Sequence, residues 1–174
     1  QSGSAMLLGN WKNQADAILQ MWLGGEGAGK AITDVLTGKV NPSGRLPETF
    51  PNKLRSDLAY PGNGWYVEYS EKENVGYRYY DRHPEEICYP FGHGLSYSTF
   101  HYHDPKVKVQ KNSVEVEFQL TNVSETDGYE VVQIYIGKTT STVRRAEKDL
   151  KAFRKVFVKA GQTVRVQFFL QKED

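Results

Sequence analysis

The chain has 174 residues, 39% hydrophobic and 25% charged, with 22 basic and 21 acidic side chains and a formal net charge of +1. That balance excludes a disordered tail and provides no net field to draw in nucleic acid or an anionic membrane, so neither is expected as a partner. The longest apolar run, Ile18 to Leu23, is broken by Gln20 and falls well short of the roughly 18 residues of a membrane span. A single cysteine, Cys88, excludes an intrachain disulfide and argues against a cysteine-based zinc site.

The opening residues Gln-Ser-Gly-Ser-Ala-Met carry no basic region followed by an apolar core, so no signal peptide is read there. They read as a loop emerging from something earlier, and the chain stops four residues after a strand pattern. Both ends therefore read as cuts in a longer chain.

Ala15 to Leu23 is nearly continuously apolar and ends in Gly24-Gly25, which predicts a strand buried on both faces of a parallel sheet. Gly27 to Thr37 places Ala28, Ala31, Ile32, Val35 and Leu36 at helical spacing, with Gly38 where a helix C-cap belongs. Asn41-Pro42-Ser43-Gly44 predicts a turn and Leu46 to Phe50 a further strand. One such α/β unit cannot cover both faces of a parallel sheet. Residues 51–97 are rich in Tyr, Gly and Pro with weak periodicity, and read as an extended arm packed by its aromatics.

Composition changes near residue 98: thirteen of the sixteen glycines and six of the seven prolines precede it. Period-2 alternation then dominates. Val114, Val116, Phe118 and Leu120 oppose Glu115, Glu117 and Gln119. Val132, Ile134 and Ile136 repeat the pattern, Leu150 to Val158 gives another strand, and Gly161-Gln162 turns into Val164, Val166, Phe168 and Leu170. About five strands are expected where an immunoglobulin-like sandwich wants about seven. The last apolar face is expected to need later strands as cover, leaving the isolated chain prone to instability or to forming a homo-oligomer. The organisation read from the chain is a partial α/β domain over residues 1–50, an arm over 51–97 and a sandwich over 98–174.

Several patterns invite a chemical reading. Gly24-Gly25-Glu26-Gly27-Ala28-Gly29-Lys30 matches the G-x-x-x-x-G-K phosphate loop after an apolar run and before a helix. Ala31 stands where a hydroxyl should hold magnesium, Glu26 puts negative charge where phosphate should sit, and no later strand ends in a suitable Asp. Glycines permitting a tight turn and close helix–strand packing are the simpler reading, so no cofactor is expected. His101 and His103 share a strand face at ligand-like spacing, but only Asp104 lies near and no metal is expected. His93 fits a glycine-permitted turn, and Cys88 a small buried apolar group. The pairs Glu71/Glu73 and Glu85/Glu86 read as solvated charge, since glycoside hydrolysis needs carboxyls on opposite sides of a bond. Asn122-Val123-Ser124 is a glycosylation sequon whose simpler role is a turn after a strand.

Taken in order, five runs resemble the C-terminal half of glycoside hydrolase family 3. They are Ala17 to Gly29 with Ala31 to Gly38, Asn41 to Pro51, Val75 to Asp81, Tyr89 to Tyr97, and Glu130 to Tyr135 with Leu150 to Lys155. The resemblance implies the end of an α/β sandwich domain followed by a fibronectin type III-like module of a retaining exo-acting β-glycosidase. It also implies that the nucleophilic Asp and the acid/base Glu precede this chain, so no catalytic residue is assigned here and the chain alone is expected to be inactive. Its partners are then the remainder of the parent enzyme and a β-linked sugar. Any contribution to the active site should come from the Gly24–Gly27 loop, with Glu26 accepting a sugar hydroxyl, and from Trp65 stacking on a sugar at the rim. A non-catalytic carbohydrate-binding or adhesion module is the alternative of a different class.

Overall fold

The computed structural model describes residues 2–54 and 69–172. The chain folds into two compact units. One comprises Gln1–Ile32, Leu46–His93 and Gly137–Asp149; the other comprises Thr33–Arg45, Gly94–Ile136 and Leu150–Asp174.

The first unit has little regular structure. Residues 15–23 form no strand: they run irregularly with Ile18 and Leu19 exposed. The apolar run invited a buried strand, but a parallel strand exists only through the neighbours it bonds to, and no described segment pairs with it. The strand expected over residues 46–50 shrinks to β1 (Phe50–Pro51), paired antiparallel with β2 (Ile87–Tyr89). Leu46 extends the pairing, donating to the His93 carbonyl and accepting from the Gly92 amide, each at 2.8 Å. Leu8 and Phe50 are the buried apolar anchors, each 2% exposed. Aromatic rings supply the remaining packing: Tyr77 stacks on Phe91 with centroids 4.7 Å apart, and Tyr89 stacks on His93 at 5.1 Å. The described part of the expected arm is therefore not simply extended. It carries a 3-10 turn (Lys72–Asn74), the short helix α2 (Tyr77–Tyr80) and a second 3-10 turn (Pro84–Glu86).

Helix α1 (Ala28–Leu36) forms where its spacing predicts. Gly38 closes it in the left-handed conformation at φ 74°, its amide donating to the Val35 carbonyl at 3.0 Å. No residue of α1 is fully buried and Leu36 is 67% exposed, while Ala28, Ile32 and Val35 are half-buried, so its apolar stripe is only partly covered by the described chain. Among the described residues, no helix is long and apolar enough to cross a membrane.

The second unit is built on two antiparallel sheets. β3 (Phe100–Val109), β4 (Ser113–Asn122) and β7 (Thr163–Gln171) form one in the order β3-β4-β7; β5 (Gly128–Ile136) and β6 (Asp149–Val158) form the other. Register brings Phe118 opposite Val166 and Val116 opposite Phe168, so apolar rows coincide. Phe118, Leu120, Val166 and Phe168 then meet Val132 and Val158 of the other sheet in one core. Val166, Phe168 and Leu170 are at most 4% exposed. The face expected to wait for later strands is thus already covered by β5 and β6, a correction that follows from the order of the sheets: β6 crosses over the core before β7 returns beside β4. On the outer side, Glu115 and Glu117 of β4 face Lys108, Lys106 and Arg165 on the flanking strands.

Asn41-Pro42-Ser43-Gly44 forms neither a turn nor a strand, and Asn41 is a tie point. The Asn41 amide donates to Ser98 Oγ at 2.8 Å and to the Asp127 carbonyl at 2.9 Å. Its carbonyl accepts from Ser96 Oγ and the Tyr97 amide, each at 2.9 Å. Nearby, Arg45 Nη2 meets Glu130 Oε2 at 2.5 Å with both side chains largely buried, and Tyr102 donates to Glu130 Oε1 at 2.9 Å. Partial burial, followed by the Glu130 charge, raises the Tyr102 phenol pKa.

Candidate functional site

The Gly24–Gly27 segment leads directly into α1. Residues Gly25–Gly27 form a 3-10 turn, and Gly25 sits at φ 61°, a conformation that L side chains adopt at a cost. Here the tight-turn reading holds. The close-packing reading does not: a Cβ at Gly25, Gly27 or Gly29 would meet nothing within 4 Å. Glu26 is exposed at the tip of this turn, in the first-turn position where a carboxylate complements the N–H groups of the helix start. It is also the one charged group of the loop and free to reach a ligand hydroxyl. Trp65, the other sugar-contact candidate, lies outside the described residues.

The sequence did not reveal Trp22. Its backbone is at φ 49°, a rare conformation for a bulky residue, and its ring meets Phe50 edge-on with centroids 6.0 Å apart. With Gly25 three residues on, the chain enters the left-handed region twice just ahead of α1. Such strain persists only where surroundings enforce it, and it gathers at ligand-contacting segments. No residue pattern announces a left-handed tryptophan.

The other candidates resolve into structural roles. His103 is satisfied on both ring nitrogens, by Asp104 at 3.0 Å and Thr121 Oγ1 at 2.8 Å, while His101 points from an exposed strand position. His93 closes a turn, its amide donating to the Pro90 carbonyl at 3.1 Å, as its glycine neighbours suggested. Cys88 is only partly buried and lies 3.5 Å from Lys12 Nζ, so it is not the enclosed apolar group expected. Asn122 of the sequon is fully buried and bonds within the protein, which leaves its amide no room for a glycan. Ligand atoms of His83, Glu85 and Glu86 lie within 4.8 Å of one another. Their own contacts account for the arrangement: His83 faces Glu85 at 3.5 Å and Tyr79 donates to Glu86 at 3.2 Å.

This α/β-then-sandwich arrangement, with a glycine turn feeding a helix, is the architecture of a known class. The glycosyl hydrolase family 3 C-terminal domain matches residues 1–97, and a fibronectin type III-like domain matches residues 130–174. The chain belongs to glycoside hydrolase family 3. Among its relatives, thermostable beta-glucosidase B of Acetivibrio thermocellus is 47% identical over 93% of this chain and 22% of its own length. Exo-alpha-(1->6)-L-arabinopyranosidase of Bifidobacterium longum is 38% identical over 98% of this chain and 23% of its own. In structure, the family 3 beta-glucosidase of Bifidobacterium adolescentis superposes with a TM-score of 0.91 at 40% identity, over 99% of this chain and 26% of that one. Beta-glucosidase 3B of Thermotoga neapolitana, solved with glucose, superposes with a TM-score of 0.90 at 36% identity, over 98% and 25%. This chain therefore spans about a quarter or less of the proteins it resembles.

Proposed function

We propose that this chain is the C-terminal part of a retaining, exo-acting β-glycosidase that hydrolyses β-glucosides or related sugars, and that the chain alone is inactive. The observation that carries the reading is the near-complete match of this chain to beta-glucosidases at 36–47% identity while it spans only 22–26% of their length. In this reading residues 1–50 finish an α/β domain, 51–97 are the connecting arm and 98–174 are the fibronectin type III-like module. The nucleophile and acid/base carboxyls belong to the remainder of the parent. That remainder is also the partner for the apolar side chains that stay uncovered in the first unit, among them Leu23, 78% exposed, and Trp11, 41% exposed.

Glu26 and Trp65 are proposed to touch the sugar in the assembled enzyme. The Glu26 turn leads directly into α1 and leaves its carboxylate exposed, where it can accept a charge-assisted hydrogen bond from a sugar hydroxyl. In the full-length parent, Glu26→Gln should raise KM for an aryl β-glucoside several-fold, since a carboxylate accepts a hydroxyl hydrogen bond more strongly than an amide. Unchanged KM and kcat would remove Glu26 from substrate contact and leave it as a helix-start charge.

A further inference from the structure

Four cations converge on one open groove of the first unit. Lys72, Arg78, Arg144 and Arg145 line it with Glu73 and Asp149, around a volume of about 530 Å³. Two of the cations are neutralised within the groove: Arg78 Nε meets Asp149 Oδ1 at 2.6 Å, and Arg144 Nε meets Glu73 Oε1 at 2.8 Å. Lys72 Nζ and the Arg145 guanidinium have no carboxylate in ion-pair reach among the described residues, which leaves the groove with a positive excess.

The groove walls are held in place. Lys148 Nζ meets Asp81 Oδ1 at 3.1 Å, and Arg82 Nη2 donates to the Arg145 carbonyl at 2.6 Å, fixing the Arg145 backbone while its side chain remains uncommitted. Lys72 sits at φ 53°, a left-handed conformation unusual for lysine, at the start of the 3-10 turn that forms the opposite wall. Val75, Val143 and Ala146 add apolar surface between the charges. A volume of this size falls within the range of small-molecule sites, roughly 300–1,000 Å³. Guanidinium groups present paired N–H donors that fit carboxylate and phosphate oxygens.

We propose that this groove binds a compact oxyanion, the carboxylate or phosphate of a small acidic sugar, with Lys72 and Arg145 as its free cations and Arg78, held by Asp149, as an oriented guanidinium. The groove is independent of the glycosidase reading, whose failure would leave it untouched.

The test is calorimetric and NMR titration of the 174-residue chain at low ionic strength with inorganic phosphate, glucuronate and glucose. Saturable binding of phosphate, of glucuronate or of both is expected, with shifts at groove residues; which one binds identifies the anion as tetrahedral or planar. Glucose should not bind there. The double variant Lys72→Met/Arg145→Met should weaken binding by roughly ten-fold or more, the scale of a lost charge-assisted contact. Lys111→Met, in the exposed turn between β3 and β4, should bind as the parent sequence does. Neither residue makes an ion pair that holds the fold, so a preserved melting profile is expected for the double variant. Absence of saturable binding by both anions, or equal binding by the double variant, would overturn the proposal.

Discussion

Asn122→Ala should lower stability by about 3 kcal/mol, seen as a fall in the urea midpoint with an unchanged slope. Asn122 ends β4 where the two sheets are tied together. Its amide donates to the Thr126 carbonyl at 2.8 Å and to the Val158 carbonyl at 3.0 Å, and its Oδ1 accepts from the Ser124 amide at 3.0 Å. The side chain is fully buried. Alanine removes the buried bond to Val158 and the part-buried bonds to Thr126 and Ser124, with the Thr126 carbonyl keeping Ser98 Oγ as a donor; a buried group left unpaired costs about 1–3 kcal/mol, and the lost side-chain packing adds to it. The backbone of Asn122 also exchanges hydrogen bonds with Gly161 and Gln162, each at 3.0 Å, so the residue joins the β6–β7 connection to the end of β4. Asn112→Ala, in the β3–β4 turn, should change stability by less than about 0.5 kcal/mol. A midpoint unchanged by Asn122→Ala would mean that the connection holds without it.

Gly94→Ala should be at least as damaging. A Cβ on Gly94 would stand 2.2 Å from the Gly44 carbonyl oxygen and 3.1 Å from Arg45 Cδ. The oxygen is backbone and cannot swing away, so the two segments must separate. Arg45 would shift with them, away from its ion pair with Glu130, and breaking a largely buried pair leaves an uncompensated charge. Overpacking of this kind costs about 1–3 kcal/mol before the ion pair is counted. Loss of the cooperative melt, or a fall in Tm of roughly 10 °C or more, is the expected reading. Gly27→Ala provides the contrast: a Cβ there meets nothing within 4 Å, and its stability should stay close to that of the parent sequence. A Gly94→Ala protein that melts like Gly27→Ala would mean that the close approach of residues 44 and 94 does not constrain the fold.

What could be read from the sequence follows from what a local pattern encodes. The alternation of Val114 to Leu120 and of Val164 to Leu170 fixes which side chains share a face, and those faces form the observed core. The spacing from Ala28 to Leu36 and the glycine at position 38 likewise carry the helix and its end. Ala15 to Leu23 misled because an apolar run records a demand for burial and not the partner that meets it. Asn41 and Asn122 each read as turn residues, since Asn favours turns locally. Their roles lie in bonds to residues 57, 86 and 36 positions away, which no spacing reveals. At the candidate site, the Glu26 turn was legible from its glycines. The strained Trp22 was not, nor was the Lys72–Arg145 groove, which joins residues 72–78 to residues 143–149, at least 65 positions further along the chain.

As proposed above, this chain carries part of a β-glycosidase without the carboxyls that perform the chemistry. Retaining hydrolysis needs two carboxyl groups about 5 Å apart across the scissile bond. Release of the aryl group from an aryl β-glucoside, followed with the purified 174-residue chain beside the intact parent enzyme, tests the claim directly. Turnover is expected from the parent and none from the chain. Turnover by the chain alone that disappears in its Glu26→Gln variant would contradict it.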